Sequence, residues 1–443
     1  MTTKTPRRLP WPAEYVRRFR PGGALQLAAL TWGTRGDVQP FVALGAELVK
    51  RGHRVTIAAR EPFRSLIESN GLGFFKMEED GTEELMRLLA QSRGGADGAR
   101  HFVTWQRRIL RPQFRELWEA TEGADAIVSN AAFTVPAVHI AEARGIPIVQ
   151  AFFDPGFIPT RRYGLFDNRV GDRGALLNLA STRLRNIVGG LVTRDIVSAW
   201  RRQRGLRTPL LSEFNDPGLL RRLPVIAAWS TALLDRPDDW PEWFVQTGRW
   251  RLPVKERVSQ ALIDFMAAGP APVYIGFGSW GASDKAAVTE MLLEALRVTG
   301  ERAILHRNTV DERRAFPPHV FVDDDLPHEW LLPQMKVVVH HGGAGTTGAA
   351  LEAGVPAVII PAFFAQIPWG EIIVQKGVGA LLMRRDLRAE TLAGAIEKVG
   401  APAVRERAAK LGARARAEGG VTLAADAIEV RLKEAKEATA ASS

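Results

Sequence analysis

Residues 337–379 constrain the fold more than any other stretch of this chain. An apolar run beginning at Val337 breaks into His340-His341-Gly342-Gly343-Ala344-Gly345-Thr346-Thr347. An Ala/Leu-rich segment follows, and then a second apolar run over residues 355–360. Short apolar runs bounded by glycine predict buried strands, and the longer segment between them predicts a helix. Small residues at a strand-to-helix turn let backbone N–H groups approach an anion, and the helix dipole favours the negative charge. The threonine hydroxyls and an imidazole add side-chain donors at the same turn. The chemistry predicted is the holding of a diphosphate.

Gly343, Gly345 and Gly348 also read G-x-G-x-x-G after a strand. A nicotinamide dinucleotide site expects an acid after the next strand to grip the ribose. Here Ile360-Pro361 is followed by Ala362, Phe363, Phe364 and Ala365, which argues against NAD.

The same alternation runs through the first half. An apolar run over 24–30 predicts a strand, Gly33–Gly36 a turn, and residues 38–50 a helix with Asp37 at its N-cap. Further strands are predicted over 126–128, 146–152 and 225–228, with a helix over 135–143 between the first two. An arginine-rich insertion over 155–220 holds a loop at 156–173 and a long helix at about 176–203. In the second half, helices are predicted at 257–267 and 286–298, strands at 273–277 and 302–305, and a final helical run from about Val404. The fold class expected is α/β, with two Rossmann-like, doubly wound domains facing a cleft. The expected divisions are a basic tail over 1–23, a first domain over 24–236, a linker over 237–253, a second domain over 254–415 and a C-terminal helix and tail over 416–443.

At 443 residues, with 46% hydrophobic and 24% charged, the chain can bury two large cores. The absence of cysteine excludes disulfides, a thiol nucleophile and cysteine-held metals. No apolar run reaches the roughly 20 residues of a membrane span. The N-terminus has no apolar core and is not read as a secretory signal. A cytoplasmic location is expected. Residues 1–23 carry +5 and residues 101–222 carry +7, the latter from eighteen arginines against eleven acids. No nucleic-acid motif accompanies this charge, so nucleic acid is not an expected partner. The tail is read as solvated, with a weak membrane-surface contact through Trp11, Tyr15 and Phe19 as its other reading.

HHGGAGTT, GVPAVIIP and Gln366-Ile367-Pro368-Trp369-Gly370 together resemble the donor-nucleotide signature of family 1 glycosyltransferases. The bacterial branch of sterol glucosyltransferase-like and antibiotic (macrolide, glycopeptide) enzymes is the most similar. Two distant stretches agree, Thr31-Trp32-Gly33-Thr34-Arg35-Gly36-Asp37 and Val273-Tyr274-Ile275-Gly276-Phe277-Gly278-Ser279. The resemblance covers roughly residues 24 to 415 and implies the GT-B fold, with 24–236 as an acceptor-binding domain and 254–415 as a nucleotide-sugar-binding domain.

It also implies an inverting, metal-independent transfer with no cofactor beyond a UDP- or TDP-sugar co-substrate. The donor would meet Gly33, Thr34, Gly36, Ser279, Trp280, His328, Trp330, His341, Gly343, Ala344, Gly345, Thr346, Thr347 and Gln366. Of the two adjacent histidines, His341 has the stronger claim on the diphosphate. Asp37 would be the general base, although an ordinary helix cap is its other reading. Asp323-Asp324-Asp325 is read as a solvated turn, not a metal site. Trp105, Asn130, Phe152, Phe153 and Phe157, with Tyr163 and Phe166, are candidates for an aromatic acceptor region, although several would be plain core.

One departure bears on the sugar. The acid that usually precedes Gln366 is Ala365, which removes a charge-assisted hydrogen bond to the sugar and points to a deoxysugar. The acceptor implied is a hydrophobic polyketide, sterol or aromatic natural product. The rival readings are a sugar-nucleotide 2-epimerase on the same fold, and a degenerate homologue that binds a nucleotide or a partner without transfer.

Overall fold

The computed structural model describes residues 11–19, 22–78, 81, 84–85, 88, 95–155, 158–166, 169–208, 223–253, 258–277, 285–324, 326–362 and 366–441. The apolar run at the start of the chain becomes β1 (Gln26–Leu30), buried from Leu27 to Leu30. It lies between β2 (Arg54–Ala59) and β4 (Ala126–Asn130), parallel to both, with Leu27 opposite Val55 and Ala126. A strand covered on both faces and both edges has no polar environment to meet, which is why its sequence does not alternate. Outside β2 runs β3 (Gly73–Lys76). Beyond β4 come β5 (Ile148–Phe152), β8 (Val225–Ala227) and β9 (Phe244–Gln246), all parallel.

The second sheet repeats the plan. Its order is β12 (Val320–Asp323), β11 (Ala303–His306), β10 (Val273–Gly276), β13 (Val337–His340), β14 (Ala357–Ile359) and β15 (Gly379–Leu381). In each sheet the winding reverses once, between β1 and β4 and between β10 and β13. Ligands of open α/β sheets bind in the crevice beyond the strand ends at such reversals. The two doubly wound units expected from the sequence are present.

Several local expectations change. Residues 237–253, expected as a linker, supply β9, and Trp240, Phe244 and Trp250 there are buried. The expected loop over 156–173 contains an antiparallel hairpin, β6 (Gly164–Phe166) and β7 (Arg169–Gly171). A helix at Gly95–Ala120 was not foreseen at all. Asp323 ends β12 and, with Asp324, faces Arg307, whose Nε lies 3.2 Å from Asp324. Asp325 lies outside the described residues.

The N-terminal expectation is corrected most. Trp11, Tyr15 and Phe19, offered above to a membrane surface, are 7%, 1% and 2% exposed and belong to the first core. Trp11 Nε1 donates to the Arg431 carbonyl at 3.2 Å, and Thr439 Oγ1 donates to the Val16 carbonyl at 3.0 Å. Arg17 lies over Gly145 and caps the carbonyls of Glu142 and Ala143 at the end of helix Thr134–Arg144. Gly145 has φ +68°, and a Cβ there would stand 2.4 Å from Arg17 Cγ. Aromatic bulk in a basic segment has here been drawn into protein.

The last helix, Gly420–Ala441, returns to the first unit. Ala424, Ala425, Ile428 and Leu432 are buried there. Arg51, just past the end of helix Arg35–Lys50, reaches Asp426 at 2.6 Å and Glu429 at 2.8 Å. The units are joined further by a core that includes Phe152, Trp229, Trp240 and Trp369, with the Trp229 and Trp369 rings 6.4 Å apart. Arg249 follows β9 and pairs with Glu352 at 2.8 Å and with Glu329, while Arg251 reaches the same Glu352 oxygen at 3.0 Å.

Candidate active site

Helix Arg35–Lys50 leaves β1 at the first reversal, and its start is set by a capping box. Its N-cap is Thr34, and Asp37 occupies the third helical position, not the cap expected for it. Asp37 Oδ2 accepts the Thr34 N–H at 2.8 Å and the Thr34 hydroxyl at 3.1 Å. This reciprocal arrangement satisfies donors that the first turn leaves open. Gly33, at φ +110°, makes room for it, since a Cβ there would lie 2.4 Å from Asp37 Oδ2. Asn130 closes the reversal from the other strand. Its Nδ2 donates to the Trp32 carbonyl at 3.4 Å and its Oδ1 accepts from Phe133 N–H at 3.2 Å.

At the second reversal, β13 ends in His340 and helix Ala344–Ala353 begins after Gly343. His340 is fully buried, and its Nδ1 accepts the Gly342 N–H at 3.0 Å. That ring is therefore part of the turn. His341 is half-buried with its Nε2 over Gly343, where a Cβ would stand 2.7 Å from it. Burial holds the His341 pKa down to about 4, so the imidazole is neutral at physiological pH. Thr347 Oγ1 donates to the Gly343 carbonyl at 2.9 Å and is committed to the helix, whereas Thr346 is half-buried beside it. The N-cap is a glycine, so no N-cap side chain meets the N–H groups of Ala344, Gly345 and Thr346.

His328 sits at the start of the short helix His328–Leu331, with its Nε2 2.8 Å from the Tyr274 hydroxyl. Its pKa is about 4, lowered first by burial and then by His306, Arg249 and Arg35. Arg35 belongs to the first unit, and helices Arg35–Lys50 and Ala344–Ala353 touch. The two reversals therefore open toward one another. Trp330 is half-buried on the same short helix. Gln366 is buried, and its Oε1 accepts the Ala362 N–H at 2.7 Å. Ser279, Trp280, Phe157 and Ala365 lie outside the described residues.

The aromatic acceptor candidates divide. Phe152 is 1% exposed and belongs to the core between the units. Trp105 is buried, donates its Nε1 to the Gly81 carbonyl at 2.8 Å, and stacks obliquely on Trp32 at 5.4 Å. Phe153 is half-buried against Phe41 and Trp250. Tyr163 is buried beside Trp240. Sequence reasoning gave no role to Arg35, although it lies inside the Thr31–Asp37 motif, or to Arg249, which lies in the segment read as a linker. Among the described residues, no cluster of three His, Cys, Asp or Glu side chains is placed to hold a metal ion.

The histidines give a first testable consequence. Burial pushes His340 well below the ordinary range, and burial with Arg201 holds His139 down to about 3. Unfolded histidines titrate near about 6.5, so below that pH the unfolded chain binds more protons than the folded one. Stability from these rings is complete above about pH 6.5 and falls as pH drops, by up to roughly 1.4 kcal/mol per pH unit for each ring. Urea midpoints taken from neutral to mildly acidic pH check this, and a flat profile would contradict it.

Residues 27–160 match the N-terminal domain of glycosyltransferase family 28, and residues 290–429 match the C-terminal domain of erythromycin biosynthesis protein CIII-like enzymes. A sterol 3-beta-glucosyltransferase of Arabidopsis thaliana is 32% identical over 97% of this chain and 72% of its own length. The sterol 3-beta-glucosyltransferase of Neurospora crassa is also 32% identical, but this chain spans only 28% of it. Among solved structures, the calicheamicin glycosyltransferase superposes with a TM-score of 0.69 at 20% identity, covering 93% of this chain and 99% of that one. With both halves matched and the fold shared, the chain belongs to the family 1 glycosyltransferases of GT-B architecture, alongside the sterol 3-beta-glucosyltransferases.

Proposed function

We propose that this protein transfers a sugar, with inversion and without a metal, from a UDP- or TDP-sugar to a hydroxyl of a hydrophobic small molecule. A sterol, polyketide or aromatic natural product is the acceptor class. The observation that carries the reading is the start of helix Ala344–Ala353, with no N-cap side chain, beside the neutral His341. Backbone N–H groups and a helix dipole there can hold the diphosphate and stabilise the charge that builds on it as it leaves.

Asp37 takes the acceptor proton as the acceptor oxygen bonds to the anomeric carbon. The bond from that carbon to the diphosphate breaks on the opposite face, which inverts the configuration. Thr34 holds the carboxylate in place through Oδ2, and position matters because a carboxylate is a weak base unless the hydroxyl lies within hydrogen-bond reach. The sugar reading rests on Ala365, which favours a deoxysugar over glucose. The 32% identity to a named transferase favours transfer over the epimerase and over a non-catalytic homologue.

A thermal-shift panel of UDP, TDP, GDP, NAD and nucleotide sugars tests the donor. A ligand at about 100 times its dissociation constant adds roughly 2.7 kcal/mol of stability. Stabilisation by UDP or TDP alone is the expected result. A response to NAD, or to neither uridine nor thymidine nucleotides, would overturn the reading.

A further inference from the structure

The first five turns of helix Ala175–Arg202 are built inside out, whereas Ile196, Val197 and Trp200 at its far end pack into the first core. Its buried positions include Asn178, Thr182, Asn186 and Thr193, spaced as one helical face. The opposite face carries Leu176, Leu177, Leu184, Ile187, Val188 and Leu191, exposed by 84%, 58%, 63%, 44%, 48% and 48%. Among the described residues these are six of the eleven exposed large hydrophobic side chains, and the other five are spread over four helices. Scattered exposed leucines need no explanation, but a contiguous apolar stripe does.

The helix is not free to roll the stripe inward. Asn178 donates to the Arg161 carbonyl at 2.9 Å and to Asp172 at 2.8 Å, and accepts from Arg173 N–H at 2.9 Å. Toward the other end, Asp195 is gripped by both terminal nitrogens of Arg107 at 2.7 and 2.8 Å. Turning the helix would break both anchors and bury a leucine face against positions now filled by polar side chains.

We propose that this face docks on an anionic lipid bilayer, with Leu177, Leu184, Val188 and Leu191 entering the headgroup–acyl boundary. Charge selects this occupant over a second copy of the chain. Arg183 and Arg194 are exposed on one flank of the stripe, and residues 101–222 carry +7. A two-fold copy would bring those arginines onto themselves, whereas a surface of anionic headgroups neutralises them. An apolar face bordered by arginines is the pattern of helices that lie in the interface plane, and no helix among the described residues is long and apolar enough to cross the membrane. The proposal stands whether or not the transferase reading does.

The test is sedimentation of the full chain with vesicles of phosphatidylcholine, alone or mixed with phosphatidylglycerol. Binding is expected to the anionic vesicles and to weaken with salt. Joint replacement Leu184→Ser and Leu191→Ser is expected to lower the partition coefficient by about tenfold or more, because each exposed leucine contributes its transfer to the interface. Both side chains are exposed, so the circular dichroism and melting temperature should be unchanged. The chain has no cysteine, so Leu184→Cys gives a single site for a spin label. On vesicles that label should become accessible to lipid-dissolved oxygen, while a label at Val430→Cys stays in water. The proposal is overturned if anionic vesicles bring down no protein, or if the double substitution leaves binding unchanged. It is equally overturned if the label at 184 stays aqueous on bound vesicles, or if the substitutions instead abolish a concentration-dependent dimer.

Discussion

An Asp37→Asn enzyme is expected to lose about 10²- to 10⁴-fold in kcat/KM while its unfolding midpoint hardly moves. Asparagine keeps a carbonyl oxygen where Asp37 Oδ2 now accepts the Thr34 N–H at 2.8 Å, so most of the capping box survives. It cannot take a proton from an acceptor hydroxyl. Asp37→Ala removes both functions and should cost about 1 kcal/mol of stability in addition to the activity. Steady-state rates with a nucleotide sugar and an acceptor alcohol, measured beside urea midpoints, separate the two roles. An Asn variant within threefold of the parent would make Asp37 a helix cap and nothing more.

Arg249→Ala is expected to destabilise the protein by about 3 kcal/mol, at the low end of the cost of removing one partner from a buried ion pair. Arg249 has 16% of its side chain exposed and Glu352 has 9%. The remaining Arg251, 3.0 Å from Glu352, keeps that carboxylate from being left wholly unpaired and so limits the loss. The effect should reach the donor as well. Arg249 ties helix Ala344–Ala353 through Glu352, and ties the His328 helix through Glu329, to the segment between the units. Loosening both elements should raise the donor KM roughly tenfold, since small misplacements of positioning groups are costly. Arg249→Met, which keeps the stem lying against Gly348, should recover part of the stability but not the KM. An unchanged KM in a destabilised Arg249→Ala enzyme would show that the ion pairs serve folding alone.

Much of the site was readable because its signals are local. Glycines at Gly33 and Gly343 are demanded by close approaches within a few residues, and apolar runs of strand length declare buried parallel strands wherever they lie. The same locality explains the misreadings. Asp37 looked like an N-cap because Asp is a good one, and only the backbone conformation of Thr34 showed that the helix starts three residues earlier. His340 and His341 are the same residue type, and only the motif match singles out His341. The His340 ring, at the strand end, accepts the Gly342 N–H, while His341, just past the strand, lies over Gly343.

By itself, then, the sequence determined two doubly wound sheets, the turn at which each reverses, and the residue types gathered there, since all three follow from contacts between near neighbours. Tertiary structure alone decided which aromatic residues became core. Trp11 and Phe19 looked like surface anchors until the C-terminal helix, more than four hundred residues away, closed over that segment. It also made β9 out of an expected linker, because an edge of the first sheet was open to receive it. And it turned the leucines of helix Ala175–Arg202 outward, since the hydrogen bonds of Asn178 and the grip of Arg107 on Asp195 leave that helix one orientation. Periodicity says that a helix has two faces, but only its partners say which one is buried.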